Sequence, residues 1–165
     1  MTPLKRSNII LYALCLGMCA ASYIILNRNI ELTLLPHKTV LSYLFNFNFI
    51  FKEGVGYEQT NGLFTVAKNC MGIKLFINLF IMMVFGFLHN YTGLKRKIAA
   101  MAKFYLLSLA LAFIITIIRI SVSVPFCTWD KFVPIHNTIS LLIYFISGLI
   151  LYFVMERRRL SDEKN

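Results

Sequence analysis

The chain has 165 residues, of which 58% are hydrophobic and only 15% charged, with a mean hydropathy of +0.70. A soluble domain carries about 25% charged residues, and a chain this short lacks the interior volume to hide so much apolar surface, which excludes an ordinary water-soluble globule. The net charge of +10 would suit nucleic acid, but the basic residues are bunched beside apolar runs, the pattern of membrane topology and not of a nucleic-acid-binding face.

Taken in order, Lys5 and Arg6 precede an uncharged run, Ile9 to Leu26. As a helix of 18 residues it would be ~27 Å long, close to the ~30 Å hydrocarbon core. It is too long for the roughly 7–15-residue apolar region of a cleaved signal peptide. Cys15 and Cys19 fall inside it, where a thiol behaves as a small hydrophobe. Residues 39–51 are rich in aromatics but carry Asn46 and Asn48, and are too short for a span. They read as an interfacial or re-entrant segment, with Pro36 and Gly54-Val55-Gly56 marking turns at its ends.

Three longer apolar stretches follow, near 70–90, 104–124 and 137–155. The first is interrupted by Lys74 and Asn78, the second by Arg119, and the third carries no charge. The expected fold is all-α: one polytopic domain over 1–165 with about four transmembrane helices, near 8–26, 70–90, 104–124 and 137–155. No Pro/Gly/Ser-rich linker or internal repeat divides it.

Lys/Arg bias in the short flanks sets orientation. With both termini in the cytoplasm, the inner segments hold Lys5, Arg6, Lys95, Arg96, Lys97, Lys103, Arg157, Arg158, Arg159 and Lys164. The outer segments hold Arg28, Lys38, Lys52, Lys68 and Lys131, partly offset by Glu31, Glu53, Glu58 and Asp130. Ten against five decides the matter, and places residues 27–69 outside.

Charges inside apolar spans are expensive, near +3 kcal/mol at a helix centre, and mark functional positions unless the side chain snorkels out. Lys74 and Arg119 are the two such charges. Cys70 stands where the second long helix is expected to begin, so the helix terminus and Lys74 at i+4 would both favour its thiolate. His136 opens the fourth helix. His37 falls in the outer loop, and His89 at the cytoplasmic end of the second helix. Under one topology Cys70, Arg119 and His136 reach the outer ends of three different helices. Together they supply a thiolate nucleophile, a cation for an oxyanion and a proton-transferring imidazole, the parts of an acyl-transfer site. No metal-ligand cluster, phosphate loop or cofactor motif is present in the sequence.

The same residues carry a resemblance. Gly62-Leu63-Phe64 with Val66, Asn69-Cys70-Met71-Gly72, Arg119-Ile120 and His136 together resemble the exosortase/archaeosortase family of membrane-embedded cysteine transpeptidases, over roughly residues 60–140. The chain departs from that pattern at Met71, where Ser often follows the Cys, and at Thr116, where Asn often stands three before the Arg. Its few spans make it similar to the compact exosortases such as the exosortase K group. The resemblance implies catalysis by Cys70, Arg119 and His136, with Asn69, Gly72 and Lys74 around them. It implies no cofactor, and an active site at the outer face of the cytoplasmic membrane among membrane lipids. The implied partners are secreted proteins ending in a short motif, a transmembrane helix and a basic tail. Two other readings stay open. One is a thiol-redox protein pairing Cys70 with Cys127, without a CxxC motif and with no task for Arg119. The other is a small transport or assembly subunit, in which Cys70 would be silent.

The basic-residue count generates an expectation about topology. Impermeant alkylation of single-cysteine probes in intact cells should label positions in 27–69 and 125–136 but not in 93–103 or the tail. Labelling of 93–103 from outside would reverse the orientation.

Overall fold

The computed structural model describes residues 3–128 and 132–162; Asp130, Lys131 and Lys164 lie outside the described residues, as do the side chains of Lys5, Arg6, Arg158 and Arg159. Five α-helices form in chain order: α1 (Pro3–Arg28), α2 (Ile30–Phe45), α3 (Ile73–Phe87), α4 (Leu94–Ser123) and α5 (Phe132–Asp162). The fold is 79% helical, and four stretches are long and apolar enough to cross a membrane: Ile9–Arg28, Lys68–Asn90, Leu94–Phe126 and Phe132–Arg157. Between α2 and α3 lies a three-stranded antiparallel sheet of β1 (Phe49–Lys52), β2 (Gly56–Gln59) and β3 (Thr65–Ala67), in that order.

The sheet is a departure from an all-helical reading, and the stretch 39–51 does not fold as one piece. Its first part completes α2. Asn46 then takes the left-handed conformation (φ 55°) and ends the helix, as a short polar side chain allows. From there Phe47, Phe49 and Phe51 alternate with Asn46, Asn48 and Ile50, and the three rings pack on the buried cluster while Ile50 stays exposed. That is the period of a strand with one face inward. Pro36 marks no turn: it lies within α2. Glu53, Gly54 and Val55 do form a turn, which closes the β1–β2 hairpin with Lys52 opposite Gly56 and Phe51 opposite Tyr57.

α1, α3 and α4 share one apolar core, built on Leu11, Cys15, Phe76, Phe80, Met83 and Met101. Tyr105 of α4 ties the three together. Its ring meets Phe76 and Phe80 edge-on at 5.1 and 5.4 Å, and its hydroxyl is 2.8 Å from Ser22 Oγ on α1. A second core joins α2 (Leu34, Leu41), the sheet (Tyr57, Val66), the far end of α4 (Ile120) and Val124 just beyond it, and Cys70 belongs to it. α4 starts at Leu94, so Lys95, Arg96, Lys97 and Lys103 sit on its first turns and not in a loop.

α3 packs more extensively on α4 than any other pair of elements, and Gly72 sets how its start meets α4. Gly72 caps α3 with φ 68°, and a Cβ there would land on Thr116 Oγ1. Gly72→Ala should therefore destabilise the protein by at least the ~1–2 kcal/mol of a left-handed L-residue. Adding Thr116→Ala should recover only part of the loss, because the backbone strain stays. Thermal melts in matched detergent check this, and an unchanged Gly72→Ala melt would contradict it.

Candidate active site

Cys70 closes a single 3-10 turn (Lys68–Cys70) that continues directly from β3, so the sheet delivers it. Met71 and left-handed Gly72 separate it from the first residue of α3, Ile73. The thiol is buried, with 7% of the residue exposed. The Arg119 charge and the backbone of Ala67 act on it. Lys74, the expected cation, is exposed, and the charge that reaches the thiol is that of Arg119. The physical reason is Gly72: an i, i+4 pair faces one way only along continuous helix, and the left-handed residue breaks that continuity between 70 and 74.

Arg119 is 4% exposed. Its Nη1 donates to the Tyr144 hydroxyl at 2.6 Å, and its Cζ lies 5.3 Å from the centre of the same ring. Its Nε and Nη2 are buried and have no hydrogen-bond partner among the described residues. Arg119 therefore does not snorkel. Its charge reaches Cys70, His136, Tyr144 and His37, which makes it the centre of the constellation. Beside it a cavity of about 380 Å³ is lined by Arg119, Tyr144, Lys68, Lys74, Asn69 and Asn27, among others, with no carboxylate in its wall. Lys74 and Asn69 thus join the site as wall residues of this cavity.

His136 on α5 is half-buried, and its Nδ1 is 3.0 Å from Ser123 Oγ. Ser123 in turn donates to the carbonyl of Arg119 at 2.9 Å. The structure thus brings Cys70 and Arg119 together and links His136 to Arg119's own helical turn. Cys127 is a free thiol packed against the same cluster as Cys70. His89 sits at the opposite end of α3 from Cys70.

Three residues of the constellation escaped the sequence reading. Tyr144 and Ser123 are ordinary residues of apolar helices, and their roles come from what they meet. Ser123 does belong to a legible pattern: Ser108, Ala112, Thr116, Arg119 and Ser123 are small or polar, all buried, at spacings of three and four along α4, a single helical stripe. His37, expected in a loop, is 4% exposed on the buried face of α2 with Leu34 and Leu41. Its ring meets Phe113 of α4 edge-on at 4.8 Å. His37 Nδ1 donates to the Thr33 carbonyl at 3.3 Å, and Nε2 is buried without a partner among the described residues.

No family model, curated protein or solved structure matches the chain.

α2 lies outside the four candidate spans. Burial pushes the His37 imidazole down from 6.5 to about 4; the Thr33 hydrogen bond opposes this in part, and the Arg119 charge adds to it. The unfolded chain then binds a proton at a higher pH than the folded one. The contribution to stability is complete above pH 6.5 and is lost as pH falls towards 4. Thermal stability should drop across that window in wild type and drop less steeply in His37→Gln. Equal slopes would contradict a buried neutral His37.

Proposed function

We propose that the chain is a membrane-embedded cysteine peptidase or transpeptidase of the exosortase kind. It would cleave C-terminal sorting signals of secreted proteins at the outer face of the cytoplasmic membrane, with both termini inside. The observation that carries this reading is the pair of buried, unshared guanidinium nitrogens, Arg119 Nε and Nη2, in a side chain whose charge reaches the Cys70 thiol. A buried donor without a partner costs about 1–3 kcal/mol, more when charged, so leaving two beside a nucleophile favours a group that arrives with the substrate. A planar fork with two free donors suits an oxyanion better than a lysine point charge would.

In the proposed reaction the Cys70 thiol gives up its proton to His136 as its sulfur attacks the scissile carbonyl, and the carbonyl oxygen takes up negative charge between the free N–H groups of Arg119. Tyr144 holds the third nitrogen, so the fork is oriented before the substrate arrives. Collapse of the tetrahedral intermediate breaks the C–N bond, with His136 delivering a proton to the leaving amine. The acyl group on sulfur then passes to water or to an acceptor amine or hydroxyl, whose proton returns to His136. A substrate helix held by its basic tail on the cytoplasmic side would present its motif at the level of Cys70, which is where the proposed topology and the site meet.

The test is single-turnover cleavage of a reconstituted protein ending in a motif, an apolar helix and a basic tail, at matched amounts of folded enzyme. Cys70→Ala should abolish cleavage, whereas Cys15→Ala, Cys19→Ala and Cys127→Ala retain it. Arg119→Lys should lose on the order of 10²–10³ in rate, and His136→Ala about 10²–10⁴. Near-native cleavage by Arg119→Lys would leave the mechanism without its oxyanion partner.

A further inference from the structure

We infer that Ser123 is a positioning residue that fixes the neutral His136 ring with its proton on Nδ1, leaving Nε2 as the nitrogen that exchanges protons. The inference rests on atoms and counts. Ser123 is fully buried (0% exposed), and its hydroxyl touches two polar groups: the Arg119 carbonyl at 2.9 Å and His136 Nδ1 at 3.0 Å. A hydroxyl has one hydrogen to give, and a carbonyl has none. If the hydroxyl donates to the carbonyl, its oxygen is left to accept, and the Nδ1 contact requires a proton on Nδ1; both contacts are then hydrogen bonds. If the proton sat on Nε2, the hydroxyl would have to turn to Nδ1. One bond would remain, and two oxygens would face each other at 2.9 Å. In a buried place the arrangement with two bonds prevails.

Among the described residues the other contacts do not compete. The Ser140 hydroxyl bonds the backbone carbonyl of His136, not its ring, and the Phe132 ring lies against the imidazole at 5.5 Å with 31° between the planes. Arg119 stands four residues before Ser123 on α4, so one helical turn presents the guanidinium and also anchors the histidine. The tautomer is a property of the fold. Its use in proton transfer to the leaving amine rests on the cysteine-peptidase reading.

The experiment uses the full chain labelled with ¹⁵N-histidine in detergent at mildly alkaline pH, where neutral imidazole dominates. Correlation of the ring nitrogens with the ring carbon-bound protons shows which nitrogen is protonated, and loss of signal in His136→Asn identifies the resonances. Wild type and Ser123→Thr should carry the proton on Nδ1; Ser123→Ala should move it wholly or partly to Nε2. In single-turnover cleavage Ser123→Ala should lose roughly tenfold of the about 10²–10⁴ that proton transfer supplies, with KM little changed and Ser123→Thr restoring the rate. A proton on Nε2 in wild type, or on Nδ1 undiminished in Ser123→Ala, would overturn the assignment. A tautomer that responds as expected in a protein that cleaves nothing upholds the Ser123 assignment and removes the peptidase reading instead.

Discussion

A guanidinium buried in an apolar setting with no carboxylate to neutralise it is the constraint around which the far end of this fold is arranged. Arg119 makes no ion pair among the described residues, and only one of its three nitrogens has a hydrogen-bond acceptor. Desolvating such a charge without a partner costs several kcal/mol, so its surroundings must offset part of that. The Tyr144 hydroxyl and ring face do so from α5, and a polarisable thiol lies close by. Structural arginines are ordinarily satisfied in full. One that keeps two donors free, in a helix rich in apolar side chains, is the feature on which the proposed oxyanion role rests.

α4 explains how three distant parts of the chain come to that charge. Its buried stripe offers Thr116, Arg119 and Ser123 at successive turns. Thr116 meets Gly72 and so fixes the turn that carries Cys70; the charge of Arg119 reaches the thiol; Ser123 meets His136. One element therefore sets the mutual geometry of a thiol from a strand–turn unit and an imidazole from the next helix. Sites mounted on rigid elements hold their geometry better than sites on loops. The small sheet serves the same end by delivering the Lys68–Cys70 turn from β3.

How far the sequence alone leads depends on the kind of signal. Long uncharged runs are dictated by composition, so the four candidate spans were legible, although their ends were not: Lys95 to Lys103 continue a helix because Lys, Arg and Ala are good helix formers and nothing there breaks the backbone. Cys70, Arg119 and His136 stood out because each residue type is conspicuous where it falls. The sheet was hidden by aromatic richness, which masked the two-residue alternation from Asn46 to Phe51. The i, i+4 spacing of Cys70 and Lys74 does not place them on one helix face, since spacing rules hold only within one helix and Gly72 interrupts it. His37 and Tyr144 could not be chosen from sequence, because what distinguishes them is a partner brought by tertiary packing; Ser123 shares only the small and polar stripe of α4. Thr116 was noticed only as a mismatch to a motif, and it proves to be the surface against which Gly72 must be bare.

The claim on which the whole account turns is that Arg119, and not Lys74, is the charge that serves Cys70. The most direct measurement is the rate at which Cys70 is alkylated by a small neutral reagent at neutral pH, followed by mass mapping in wild type, Arg119→Gln and Lys74→Ala at equal folded content. The account predicts that the reaction slows markedly in Arg119→Gln, where the thiolate has lost its counter-charge, and is little changed in Lys74→Ala. An unchanged rate in Arg119→Gln, or a slowing confined to Lys74→Ala, would contradict it.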